Sequence, residues 1–286
     1  PASEARLHGR RHSTDRDRQA ITHHYDVSNA FYRAMLGPTM VYSCAYYAGD
    51  DDTLDAAQTR KLDLVCRKLE LRPGERLLDV GCGWGSMLIH AAREYGVQGV
   101  GVTVSEEQAN LARERVRDAG LADRIEIRLQ DYREIDDGPY DKVSSIGMFE
   151  HVGAGNLVRY LTGIRDLLTP EGLFLNHGIV RTRPEHPSDR TFSRRYVFPD
   201  GELHTQGTVI AALEEAGFEV RDDESLRPHY ARTLRDWARN LDAWREQAVA
   251  EIGEERERVW RLHNVGAALG FERGSLSVHQ VLSAPL

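Results

Sequence analysis

Asp79-Val80-Gly81-Cys82-Gly83-Trp84-Gly85 sets a carboxylate two residues ahead of three glycines at every second position. Glycine accepts positive φ and lets a ligand come close to the backbone, so the run reads as a turn built around a bound group. Two phosphate-binding readings compete with it. The dinucleotide spacing G-x-G-x-x-G is not met, because the third glycine falls one place early, and the lysine and hydroxyl of a P-loop are missing. A carboxylate such as Asp79 would repel phosphate. It suits a ligand with a cationic amino group.

Other stretches add groups of the same kind. In Thr103-Val104-Ser105-Glu106-Glu107-Gln108, Ser105 and Gln108 have the spacing of a capping box, and a purely structural role accounts for both. Hydroxyl contacts from Thr103 and Gln108 to a ribose are the alternative, and the residues leave the two readings even. Gln130-Asp131-Tyr132-Arg133 offers an aromatic face and an acceptor of the sort an adenine ring needs. MVYSCAYY, residues 40 to 47, crowds three tyrosines and a serine around Cys44. It is either a buried strand with a packed thiol or a polar pocket that uses a weak S–H donor.

An α/β scaffold must hold these groups. RLLDVGC runs apolar into the glycine turn as a first strand, and SMLIHAAREY continues as a helix. VQGVGVTV is a second strand, followed by the helix SEEQANLARERVRDAG. RIEIRLQ, DKVSSIGM and GLFLNHGIV supply three more strands, and FEV with SLSVHQVLS reads as a closing pair. Strand and helix in alternation predict a parallel sheet from about residue 60 onward. Residues 1–60 precede that alternation as a helical lead-in, and residues 181–265 interrupt it with the polar loop RTRPEHPSDR and a long helical stretch. Leu234, Trp237, Leu241 and Trp244 recur there at helical spacing, which predicts an amphipathic helix packed on the domain. Two tryptophans on one face would also suit a channel for a long apolar ligand.

The chain has 286 residues and a net charge of −8, a balance that argues against nucleic-acid binding. The three cysteines, Cys44, Cys66 and Cys82, form no C-x-x-C pair. That points away from a zinc site, predicts no metal, and fits a reducing, cytoplasmic setting. No apolar run is long enough to span a bilayer. The first twenty residues carry Arg6, Arg10, Arg11, Arg16 and Arg18, diluted by Asp15 and Asp17. Such a segment is either a solvated lead-in or a patch that touches an anionic membrane surface.

HHYDVSNAFYRAMLG (23 to 37), MVYSCAYY, LLDVGCGWGS, GVTVSEEQ, GMFEHVG (147 to 153), FLNHGIV and RRYVFPDGEL (194 to 203) stand in one order. In these blocks the chain resembles the cyclopropane-fatty-acyl-phospholipid synthases and mycolic acid cyclopropane synthases, from about residue 19 to its end. The resemblance implies a seven-stranded, Rossmann-like class I S-adenosylmethionine (AdoMet) methyltransferase sheet, comprising residues 61–286 with an insertion at about 181–265. It implies methyl transfer from AdoMet to a cis double bond of a phospholipid acyl chain. Tyr42, Ser43, Gly81 and Gly83 would then hold the methionine end with Asp79, Thr103 and Gln108 would meet the ribose, and Tyr132 with Arg133 would flank the adenine. A bicarbonate ion would sit among Cys44, Glu150, His177, the backbone of Ile179 and Tyr230. Thiol, imidazole and phenol donate to an oxyanion. Glu150 would repel the ion unless protonated, and burial beside a negative charge raises its proton affinity.

Tyr25, Phe31, Tyr46 and Phe149 are the expected aromatic faces for a carbocation on the acyl chain. Loss of a proton from the new methyl group gives a cyclopropane. A prior hydride shift gives a 10-methylene chain, which would imply a reductase partner, and RRYVFPDGELH with GFERGSLSVHQVL resembles that methylene-forming subgroup more. Where some relatives carry a cysteine in the last strand, the stretch GSLSVHQVL has His279, so a thiolate nucleophile is not expected there. Many relatives carry an additional N-terminal domain, so the sequence is expected to be a short form or a piece of a longer one. The protein is expected at the inner face of the membrane, with residues 1–20 and 181–200 as docking surface and a homodimer as one option for assembly. A small-molecule methyltransferase and a non-catalytic AdoMet- or lipid-binding subunit are the rival functions.

Overall fold

Leu77 and Leu78 point to opposite faces of the first strand and are both fully buried, as befits a strand covered on both sides by helices. The computed structural model describes residues 4, 5, 7–25, 27–184 and 191–286, with backbone alone for 22–25. The lead-in consists of α1 (Thr14–Tyr25), α2 (Asn29–Leu36) and α3 (Leu54–Lys68). The alternating part follows as β1 (Arg76–Val80), α4 (Ser86–Tyr95), β2 (Gln98–Thr103), α5 (Glu106–Asp118), β3 (Ile125–Leu129), β4 (Tyr140–Ile146), α6 (Leu157–Asp166) and β5 (Leu168–Arg181). After it come α7 (Phe192–Tyr196), α8 (Gln206–Glu215), β6 (Phe218–Ser225), α9 (Arg227–Ala243), α10 (Arg245–Ile252), α11 (Glu254–Glu272) and β7 (Leu276–Pro285).

The strands form one seven-stranded sheet in the order β3-β2-β1-β4-β5-β7-β6, with β7 antiparallel to both its neighbours. Leu77, Leu88, Ala109 and Leu175 belong to the core on one face. Leu78, Val143, Leu161 and Leu213 belong to the core on the other. A third cluster gathers Phe31, Tyr32, Met35, Trp237, Trp260 and Phe271 from α2, α9 and α11, with Val278 of β7. The helices α9–α11 therefore add a core of their own beside the sheet. Part of the region 181–265 belongs to the sheet itself, since α8 and β6 lie within it, and the added segments fall before α8 and between β6 and β7.

Gly178 of β5 marks the tightest approach between sheet and site. A Cβ there would stand 2.1 Å from Cε1 of Phe149, and Phe149 is itself buried. Gly178→Ala is expected to destabilise the fold by about 1–3 kcal/mol through overpacking. At roughly 2–4 °C per kcal/mol for a domain of this size, a calorimetric melt should read it directly. An unchanged midpoint would mean that Phe149 has room to move.

Candidate active site

The loops that leave the carboxyl ends of β1, β4 and β5 surround one cavity of about 560 Å³, where ligands bind in open α/β sheets. At one end the turn after β1 contributes Asp79, Gly81 and Gly83. Gly83 has φ +54°, and a Cβ added to it would meet no protein atom within 4 Å. The turn therefore leaves space beside its backbone for a ligand. Asp79 is buried, its Oδ1 accepts from the Ser144 hydroxyl at 2.7 Å, and burial pushes its pKa up to about 6.

MVYSCAYY adopts no regular strand, and its residues divide between cavity and core. Tyr42 and Ser43 line the cavity. Cys44 does not; it is fully buried, its thiol lies 3.2 Å from the Ala45 carbonyl and 3.7 Å from that of Leu226, and burial pushes its pKa up, so it stays an S–H. Gln108 reaches the cavity while Thr103, behind it, donates its hydroxyl to Oε1 of Gln108 at 2.9 Å. Ser105 does cap α5, accepting from the Gln108 N–H at 3.3 Å. Tyr132 and Arg133 follow β3 outside the lining: Tyr132 meets Tyr160 edge-on at 5.0 Å, and Arg133 pairs with Asp131 and with Asp17 of α1.

Glu150, His177, Ile179 and Tyr230 all line the same cavity. Oε1 of Glu150 accepts the Ile179 N–H at 2.7 Å, so that backbone donor is committed to the carboxyl. Oε2 is buried with no hydrogen-bond partner among the described residues, and burial pushes the Glu150 pKa up to about 7. Neither ring nitrogen of the buried His177 has such a partner. Burial holds its pKa well below the usual value, and the imidazole is neutral. Buried polar atoms normally find partners. Both residues line the cavity, and a protonated carboxyl and an imidazole N–H are donors that a small oxyanion accepts.

Beyond them the lining turns apolar and aromatic, with Leu234, Trp237, Leu262, Phe271, Leu276 and Val278. Trp237 packs 5.2 Å from Tyr42 and 5.9 Å from Tyr230, which in turn lies 4.8 Å from Phe271. These aromatic faces lie at the site, and of them helical patterning singled out Trp237. Trp244, its expected companion, lies outside the lining and packs on Phe31. Phe31 is in the third core, Tyr46 stacks on His229, and Phe149 lies against Gly178. The side chain of Tyr25 lies outside the described residues. At the far end Phe192 and Leu262, 40% and 61% exposed, edge the cavity. Six residues of the loop RTRPEHPSDR, 185–190, lie outside the described residues.

The N-terminal segment is clamped to this end. Glu202 gives its N–H to the Glu150 carbonyl at 2.7 Å, its carboxylate accepts from the Ala154 N–H at 2.8 Å, and Arg11 pairs with it at 3.0 Å. Arg16 of α1 is bonded to Asp200.

A sheet of this order, with an acid closing β1 and a glycine turn opening onto a ligand cavity, defines a class I AdoMet-dependent methyltransferase. The family description "Mycolic acid cyclopropane synthetase" matches residues 12–281. A "Probable fatty acid methyltransferase" of Pseudomonas putida is 47% identical over 279 residues, covering 96% of this chain and 71% of the relative. The "Cyclopropane-fatty-acyl-phospholipid synthase" of Escherichia coli is 40% identical over 261 residues, covering 91% and 66%. A crystal structure of a mycolic acid cyclopropane synthase complexed with SAH and CTAB superposes with a TM-score of 0.89 at 35% identity, covering 93% of this chain and 98% of that one. The chain belongs to the mycolic acid cyclopropane synthetase family.

Proposed function

We propose that this protein methylates the cis double bond of an unsaturated phospholipid acyl chain and that bicarbonate bound beside Glu150 and His177 removes the proton, giving a cyclopropane or a 10-methylene chain. One observation carries the reading. The glycine turn, the orphaned polar pair and the aromatic, apolar slot share one cavity. AdoMet supplies an electrophilic methyl group there when bound. Asp79, Gly81, Gly83, Tyr42, Ser43 and Gln108, which line the cavity, would hold it, with Thr103 acting through Gln108.

The chain's own residues do the rest. Trp237, Tyr42 and Tyr230 offer π faces to positive charge without a nucleophile to capture it. Neutral His177 has one N–H donor and one acceptor, and Glu150, in the same cavity lining, titrates near neutral pH. Cys44, turned toward the Leu226 carbonyl, packs the wall next to Tyr230 in this reading. Tyr132 and Arg133, outside the cavity lining, would flank the adenine only if the cofactor extends past it toward the loop after β3, where Arg133 pairs with Asp131 and Asp17. The exposed Phe192 and Leu262 would face the membrane surface at the mouth, with α1 and the segments around α7 and α9–α11 as the lipid-side cap of a peripheral protein. Among the described residues no helix is long and apolar enough to cross a membrane.

Incubation with AdoMet, bicarbonate and vesicles of a cis-monounsaturated phospholipid, followed by NMR of the isolated fatty ester, tests the proposal. Ring protons or vinylidene protons identify the product, and neither signal would refute the activity. The cofactor end gives a second check. S-adenosylhomocysteine (SAH) brings an ammonium toward Asp79, whose pKa of about 6 must fall as the pair forms. Binding near pH 6, where Asp79 is about half protonated, should therefore release up to about half a proton, and binding at pH 8 almost none from this group. Calorimetry in buffers of different ionisation enthalpy reads the release, and Asp79→Asn should abolish it.

A further inference from the structure

Lys61 of α3 is buried to 1% exposure and lines the cavity at its cofactor end. Its ammonium donates to Oγ of Ser43 at 2.8 Å, and among the described residues no carboxylate forms an ion pair with it. A buried charge without a counter-ion is costly, and a methionine or leucine would fill the same place on the helix more cheaply. One of the three N–H groups is used on Ser43, which leaves two. Because Oγ of Ser43 accepts from Lys61, its own hydrogen is free to be donated elsewhere. Asp79 lines the same end, with one oxygen held by Ser144 and its charge close enough to act on Lys61. A positive pole and a negative pole thus face the space beside the glycine turn.

We propose that Lys61, acting with the Ser43 hydroxyl, is the counter-ion of the α-carboxylate of the bound sulfonium cofactor, while Asp79 faces its α-ammonium. The assignment rests on the AdoMet reading of this end. The zwitterion would sit between the two poles with each charge against its opposite, and the burial of Lys61 is accounted for by the ligand it meets. Sequence patterning missed it because a lysine in TRKLDLVC reads as the solvated face of an amphipathic helix.

Titration calorimetry of the full chain with three probes tests this: SAH, its decarboxylated analogue that keeps the amine, and 5′-methylthioadenosine, which lacks both groups. Lys61→Met is expected to weaken SAH by about 10- to 100-fold, the range of a charge-assisted hydrogen bond. Its affinity for the other two probes should stay within about twofold, and its ligand-free melting temperature should equal or exceed that of the parent chain. Equal losses on all three probes, no loss on any, or a variant that does not fold would overturn the assignment. Ser43→Ala reads the same pole independently and should also lose affinity for SAH alone. A parent chain that binds none of the probes would instead remove the AdoMet reading itself.

Discussion

Glu150→Gln is expected to lower turnover on a cis-monounsaturated phospholipid by about 10²–10⁴-fold, the contribution of a positioned proton-transfer group, here one that exchanges a proton with the bicarbonate base, with SAH affinity unchanged. Glutamine keeps the shape of the site. Its Oε1 can still accept the Ile179 N–H that Glu150 accepts at 2.7 Å, and its amide nitrogen can still donate to an anion. What disappears is a carboxyl that titrates near pH 7 because burial penalises its charged form. The half-saturating bicarbonate concentration should therefore move only a few-fold while the rate collapses. The pH profile supplies the sign. An anion beside Glu150 favours the protonated acid, so the parent enzyme should lose activity as pH rises through the neutral range, and the glutamine variant should lack that limb. Full turnover in Glu150→Gln would remove Glu150 from the chemistry.

Gly83→Leu should abolish SAH binding, a loss of at least about 10³-fold, and with it all methyl transfer. The glycine has φ +54°, and an added Cβ would meet nothing within 4 Å. A leucine there is expected to cost the fold only about 1–2 kcal/mol of backbone strain. Protein atoms do not oppose the added Cβ, but a cofactor in the turn would meet the leucine. Calorimetric titration with SAH and a thermal melt separate the two effects. Retained binding would place the methionine end elsewhere in the cavity.

The scaffold was legible because its signals are local and repeated. Strands such as RLLDV run apolar into glycine turns, and each hands over to an amphipathic helix, so the sheet and its cofactor turn followed from patterning. Resemblance to the family then nominated Glu150, His177, Ile179 and Tyr230, which the fold brings into one cavity from the short 3-10 turn Phe149–His151, from β5 and from α9. The rest depends on which way a side chain points where no period exists. MVYSCAYY is irregular, so nothing in its sequence says that Tyr42 and Ser43 face the ligand space while Cys44 turns to the Leu226 carbonyl. Aromatic residues behave alike in this respect. Phe31, Tyr46 and Phe149 have the right chemistry for a cation and serve as packing, whereas Trp237 and Phe271 face the slot because α9 and α11 cross beside it.

Glu202 holds the amino-terminal arm and the turn that carries Glu150 in one hand, through Arg11 on one side and the Glu150 carbonyl on the other. Clipping the arm with a protease should therefore be felt as a retuned acid at the reaction centre, and the arm would serve the chemistry as a tensioning cord as well as a cover.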